Sequence, residues 1–502
     1  MGQCWLWVGG FRFLLRATAS RGYIPVIESF GRQTFLLTFA TVIMSEQSEK
    51  FLLDAESIVF DKEHRRKLAF NILQYDKKVE HGKHQYANME LAKQRAANLK
   101  WKVIENLDKY LHEFDQNVTK RGGKVIWAQD AKEAMDEVVN ILKRVNARTV
   151  VKAKSMTTEE IHLNERLKEE GIESLETDLG EYIVQLRNEH PYHIVTPAMH
   201  LSKEDVAKTF NEKFDLPIES TPKEITAYVR KTLREKYLSA DAGITGANFL
   251  IADCGGVAVT ENEGNALMSM SFPRVQIAIA GIEKIIPSLT DLDLFWPLLA
   301  THGTGQNITA YNSVTLGPRQ GDEHDGPEEF YVILLDNGRT NLLDQQEQRQ
   351  ALSCIRCGAC LNGCPIYKGV GGHAYGTTYS GPIGSVISPH LAGMKEFKHL
   401  SYASSLCGKC TEVCPVKIEL HKLLLLNRRD SVEQKLNSKS EKFIFSVWKK
   451  AMLSRKLMNR GGAGTKNFML QNFFKKTWGD RRELPRVAPK SFNEIWKERL
   501  GR

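Results

Sequence analysis

What the chain lacks narrows its chemistry first. Its 502 residues contain no G-x-G-x-x-G behind a strand and no Walker A loop, so nothing marks a nicotinamide, flavin or nucleotide site. "GGAGTK" near residue 461 lacks the spacing to cradle phosphate. No apolar run approaches the roughly 20 residues that a membrane helix needs. The longest in the N-terminal stretch, "FLLTFATVI", is far short, and the body of the chain reads as soluble. Cysteine is nearly absent outside one region: of nine, only Cys4 and Cys254 stand apart. That pattern, with an odd count in a long chain, excludes a secreted disulfide framework and fits metal ligation in a reducing compartment. Neither sign of charge dominates. A formal +9 spread over the whole length points to no particular partner.

What is present reads in five segments. Residues 1–43 carry four arginines, no lysine and one acid, Glu28. They are expected to be a leader outside the natural protein, or a disordered one, with the natural start at Met44. Residues 44–118 read as helical. Val103, Leu107, Tyr110, Leu111 and Phe114 recur there at helical spacing.

Residues 119–343 alternate between strand and helix, which predicts an α/β domain with a mostly parallel sheet. "GGKVIWA", "RTVVKAK", "ESLETD" and "HIVTPA" read as strands. So do "NFLIADC", "VQIAIAGIEKII" and "EEFYVILLDNG". "TTEEIHLNERLKEEGI" reads as one helix capped by Thr157 and Glu160 and ended by Gly171. "TPKEITAYVRKTLREKYLSA" starts on Thr221, Pro222 and Glu224 and presents Ile225, Val229, Leu233 and Tyr237 as a stripe. Residues 344–435 hold the cysteines between helical flanks. Residues 436–502 form a basic tail that interleaves Trp448, Phe473, Phe474, Trp478 and Trp496 with Lys and Arg. Docking onto protein is the expected role of that tail, and nucleic acid is not an expected partner.

The cysteines carry the chemistry. "CIRCGACLNGCP" reads Cys354-x2-Cys357-x2-Cys360-x3-Cys364-Pro. "CGKCTEVCP" supplies Cys407, Cys410 and Cys414. In two-cluster ferredoxins the first three cysteines of such a run wrap one cluster, and the fourth, before Pro, ligates the other. The expected sets are therefore Cys354, Cys357, Cys360 and Cys414 on one cluster, and Cys364, Cys407 and Cys410 on the second. Aligned on their Cys-Pro ends, the two groups put Ser404 opposite Cys354. The second cluster's fourth ligand stays open: Ser404, another oxygen or nitrogen donor, a small molecule, or a partner's residue. A three-iron cluster would need none. Zinc sites use ligands in two separated pairs, which this spacing does not match. The long connector from Cys364 to Cys407 and the helical flanks suggest a helical ferredoxin type.

Weaker signals remain. "GGVAVTENEGN" ends a strand in a turn bearing Glu261 and Glu263, where α/β sheets bind ligands; a plain polar turn is the simpler reading. His302 reads as a satisfied loop histidine, and Cys254 as a packing cysteine in a strand.

These stretches, with "KSMTTEEIHLNERL", "ETDLGEYIVQL", "TGANFLIADCGGVAVTENEGN", "SSLCGKCTEVCPVKI" and "RELPRVAPKSFNEIWKERL", resemble the lactate utilization protein B family over residues 44–502. The resemblance implies a lactate-utilization α/β domain similar to the sugar isomerase and coenzyme A transferase-like group, followed by an α-helical ferredoxin-type domain. It implies two iron–sulfur clusters, most simply 4Fe-4S. It implies two sister subunits, one a second iron–sulfur protein, and an electron acceptor that the residues do not name. The assembly would oxidise L-lactate to pyruvate in the cytoplasm, reaching any membrane through its partners. The three-cysteine second group looks like the family's own pattern. No catalytic residue is assigned. Clusters take one electron at a time and supply no base, so the chain is expected to be a conduit rather than a catalytic centre. The alternative is that the α/β domain itself binds and oxidises a hydroxy acid and the clusters accept its electrons.

Overall fold

The computed structural model of the chain describes residues 3–8, 11–16, 45–475 and 483–501. They divide into two compact units. One joins the described residues up to Leu53 with those from Asp430 onward; the other runs from Asp54 to Arg429. In the first unit, β1 (Gln3–Val8) pairs antiparallel with β2 (Phe11–Arg16). The rest of the expected leader lies outside the described residues. The tail is helical over Lys439–Met452, Arg455–Asn459, Gly462–Met469 and Phe492–Arg499. A capping box between Ser491 and Glu494 opens the last of these. Trp448 and Trp496 are exposed, whereas the side chains of Phe473, Phe474 and Trp478 lie outside the described residues.

The second unit is built on two sheets. Its strands are β3 (Lys124–Ala128), β4 (Thr149–Lys152), β5 (Glu173–Glu176), β6 (Ala242–Thr245), β7 (Phe249–Ile251), β8 (Gly256–Glu261), β9 (Val275–Gly281), β10 (Ile285–Ile286), β11 (Tyr311–Thr315) and β12 (Glu329–Leu335). Six of them form a parallel sheet in the order β3-β12-β9-β6-β4-β5. The other four form a smaller mixed sheet, β10-β7-β8-β11. The central strands β9 and β12 are largely apolar on both faces, as burial under helices on each side requires. Ile277, Ile279, Ile333 and Leu335 pack with Val138 and Leu142 of helix Ala131–Arg144. Ala278, Ala280, Val332 and Leu334 pack with Leu107, Leu111 and Phe114 of helix Leu107–Lys120. Val151 joins Tyr182, Phe210 and Val229 on three further helices.

The expected α/β class with a parallel sheet is what forms. The capping box of Thr221 and Glu224 is present, with Ile225, Val229, Leu233 and Tyr237 buried beneath it. Local assignments differ in five places. "VQIAIAGIEKII" is not one strand: a 3-10 turn over Ile282–Lys284 separates β9 of the large sheet from β10 of the small one. "HIVTPA" is not a strand: the His193 ring accepts from the backbone N–H of Val195 and Thr196, which curls the chain ahead of Pro197. "TTEEIHLNERL" makes two helices, Met156–Glu160 and Leu163–Glu169, because His162 turns left-handed between them. Ser155, not Thr157, caps the first. Cys254 lies in the turn between β7 and β8 and is half-buried. His302 is buried within helix Leu292–Thr304, its Nδ1 2.9 Å from the Leu298 carbonyl. No helix among the described residues is long and apolar enough to cross a membrane.

Candidate iron–sulfur site

The two cysteine turns are built alike. Arg356 and Gly358 flank Cys357 with left-handed backbones, at φ 60° and 79°. Leu406 and Gly408 flank Cys407 the same way, at 53° and 79°. A short helix follows each turn, Ala359–Gly363 and Lys409–Glu412, and each group ends in Cys-Pro. Gly363 lies against Lys409 and Val413, so the two short helices are neighbours. In the first turn the Arg356 N–H donates to Cys354 Sγ at 3.4 Å. In the second the Leu406 N–H donates to Ser404 Oγ at 3.1 Å. Ser404 therefore fills, hydrogen bond included, the place that Cys354 takes in its own turn.

The thiols gather in two sets. Burial pushes Cys357 and Cys360 up from the ordinary thiol value, with Cys354 and Cys414 as their neighbours. Burial likewise pushes Cys414 up to about 12, with Cys354 among its neighbours. In the second set, burial raises Cys364, beside Cys407, and lifts Cys410 to about 11, beside both Cys364 and Cys407. Cys407 is exposed, and the Lys409 N–H and Ser405 hydroxyl hold it below the ordinary value. Tyr375 is buried beside both Cys360 and Cys364, where the sets adjoin.

These sulfurs are supplied with backbone donors. The Ile418 N–H reaches Cys414 at 3.3 Å, and the N-terminus of helix Gly381–Leu391 offers the Ile383 N–H to Cys360. Such donors favour thiolate. Among the described residues no three His, Cys, Asp or Glu converge tightly enough for a single ion. A cubane is larger and takes its ligands at separated corners. Sheltered, donor-supplied thiols in two sets fit iron–sulfur groups.

Charged residues far apart in sequence flank the first set. Arg339 is 1% exposed, bonds Glu283 at 2.6 Å and reaches Glu160 at 2.7 and 2.9 Å. Arg356 meets Glu283 at 3.3 Å and lies 4.4 Å over the Tyr379 ring, while the Tyr379 hydroxyl donates to Glu160 at 2.5 Å. Lys100 donates to the carbonyls of Glu283 and Ile285. Burial brings Lys100 down to about 7 and Lys284 down to about 8, and both lie near Cys354. Sequence reasoning missed this group entirely. An "IEK" directly after the largely apolar run "VQIAIAG" was the available signal.

The turn with Glu261 and Glu263 lines a cavity of about 380 Å³ that also reaches Lys154, Asp178, Arg356 and Cys357. Glu261 is occupied there: it accepts from the Ala266 and Leu267 N–H groups and caps helix Asn265–Ser271. Burial and Asp178 push Glu263 up to about 7.

A family model for the LUD domain matches residues 111–335, and one for a 4Fe-4S dicluster domain matches 350–418. Fold and site thus define a LUD-domain protein with an iron–sulfur domain behind it. Lactate utilization protein B of Bacillus cereus strain AH820 is 43% identical over 422 residues, spanning 82% of this chain and 89% of the relative. The proteins of that name from Bacillus thuringiensis and Bacillus anthracis match to the same extent. The chain belongs to the lactate utilization protein B family. A solved DUF162-family protein from Deinococcus radiodurans aligns over 46% of this chain and 98% of its own, at 14% identity and a TM-score of 0.27, too loosely to bear on the argument.

Proposed function

We propose that this chain serves lactate utilization as an electron-transfer subunit. It holds two iron–sulfur clusters, takes electrons released when L-lactate becomes pyruvate, and works in the cytoplasm with two sister subunits, one of them a second iron–sulfur protein. Cys354, Cys357, Cys360 and Cys414 hold the first cluster; Cys364, Cys407 and Cys410 hold the second. One observation carries this: the thiols pair across the two turns, Cys414 with the first set and Cys364 with the second. Bound clusters would accept and release single electrons. The chain's own part is to shelter the thiolates, donate N–H groups to them and keep Lys100 and Arg356 beside Cys354. Ser404 Oγ takes the second cluster's fourth position, on the strength of its equivalence to Cys354.

The test is anaerobic purification of the full chain with iron and sulfide counting and spectroscopy of the reduced protein. Two clusters' worth of iron and sulfide, with two overlapping reduced signals, is expected. A colourless protein with zinc in place of iron would refute it. A three-iron signal at the second site would remove Ser404 as ligand and leave the cysteine sets intact.

A further inference from the structure

Beyond the carboxyl ends of the parallel strands lies a second, smaller cavity that borders the first cysteine turn but is lined by none of its thiols. Open α/β sheets bind ligands where neighbouring strands send their connections in opposite directions. That point here is between β4 and β6: β4 leads to β5 on one side, and β6 leads by way of β7 and β8 to β9 on the other. The cavity measures about 110 Å³. Lys154 and Ser155, after β4, line it, with Thr245 of β6, Asn248 from the turn between β6 and β7, and Lys284 from beyond β9. Arg356 closes it from the first cysteine turn and also lines the larger cavity alongside.

Three of its polar residues keep donors to spare. The Arg356 side chain is 10% exposed; Nη2 meets Glu283, while Nη1 has no hydrogen-bond partner among the described residues. Lys284 is 9% exposed. Its neighbour Glu283 is held by Arg339 and Arg356, and no carboxylate pairs with Lys284 among the described residues. Asn248 accepts from the Thr260 N–H through Oδ1 at 2.9 Å, which leaves its NH2 group as a donor. Buried cations facing a cavity are costly unless an anion joins them. A single water needs roughly 10–15 Å³, and drug-sized pockets run to roughly 300–1,000 Å³, so this one takes a small metabolite and no nucleotide.

We propose that the cavity binds a small monocarboxylate bearing an oxygen on the adjacent carbon, a 2-hydroxy or 2-oxo acid. Its carboxylate meets Arg356 and Lys284, and its second oxygen meets the Asn248 amide. The acid then lies against the turn that carries Cys354 and Cys357. The ligand class rests on the lactate-utilization reading; the anion site itself does not.

The experiment is calorimetric titration of the full chain, purified anaerobically with its iron counted, against L-lactate, pyruvate, propanoate and inorganic phosphate. L-Lactate or pyruvate should bind about tenfold or more tightly than propanoate and phosphate. Lys284→Met should weaken that binding by about tenfold or more, with iron content and melting temperature retained. Absence of binding by an iron-replete chain overturns the site and leaves the electron-carrier role standing. Phosphate binding as tightly as lactate overturns the ligand class. Unchanged binding in a Lys284→Met protein that has lost iron overturns the site, because the cations would then serve only the thiolates. An iron-free chain that still binds lactate supports the site and sinks the electron-carrier role.

Discussion

Arg339→Met asks how much the buried charge between the sheet and the cysteine turn contributes. The arginine is 1% exposed and satisfies Glu283, also 1% exposed, and Glu160 at 2.6–2.9 Å. Methionine fills similar volume but strands both carboxylates. Breaking a buried pair from one side costs about 3–5 kcal/mol. Arg356 stays on Glu283, and Tyr379 and Asn337 stay on Glu160, so the lower end is expected. At about 1.3 °C per kcal/mol for a unit as long as Asp54–Arg429, the melting temperature should fall by about 4 °C.

The pH dependence gives the sharper check. Burial pushes both carboxyls up, but Arg339 outweighs it, holding Glu160 below the ordinary value and Glu283 down to about 2. Their contribution in the wild type is therefore present above the ordinary carboxylate range and is lost as pH falls toward about 2. In the variant burial prevails, the folded-state values rise above the unfolded ones, and the penalty is relieved by acid. The wild-type advantage should be largest near about pH 8 and smaller near about pH 5.5. Thermal melts at both pH values measure it. A deficit that is equal at the two, or that grows on acidification, would refute the account of stranded buried carboxylates.

Other outcomes can be stated now. Ser404→Cys should alter the electron paramagnetic resonance signal and potential of the second cluster and leave the first as it was; no change in either would remove Ser404 from the site. Gly358 and Gly408 share φ +79°, so alanine at either should cost about 1–2 kcal/mol in backbone strain. A Cβ on Gly358 would also meet Val195 at 3.1 Å and His193 at 3.2 Å, whereas Gly408 has open space. Gly358→Ala should thus melt lower and lose iron faster than Gly408→Ala, and the reverse order would count against the packing described. Tyr379→Phe removes a hydrogen bond to a buried carboxylate and should cost about 1.5–3 kcal/mol, read as a lower melting temperature with the ring still under Arg356.

Local chemistry was legible in the amino-acid order, and distant pairing was not. Cysteine spacing is set within one turn, so both groups and the Ser404 substitution can be read directly. The cap at Thr221 and the stripe from Ile225 to Tyr237 are equally local. "HIVTPA" misled because apolar, β-branched residues resemble a strand, while the His193 ring that bends them acts through two backbone hydrogen bonds. Arg339, Glu283, Glu160, Lys284 and Arg356 gave no periodic signal. Charged residues are ordinarily exposed, and these meet only because strand ends bring four distant segments together.

The strand order has a consequence for how the protein is made. β3, the earliest strand of the large sheet, pairs only with β12, its last, Lys124 lying opposite Tyr331. That edge cannot close until residue 335 has been synthesised, and such long-range pairing is slow to form. Every cysteine of the two sets follows it in the chain. The thiols are therefore the last of these parts to be made, and the platform beneath them needs strands from both ends of the α/β domain, so the cysteine turns and the sheet edge that supports them must settle together.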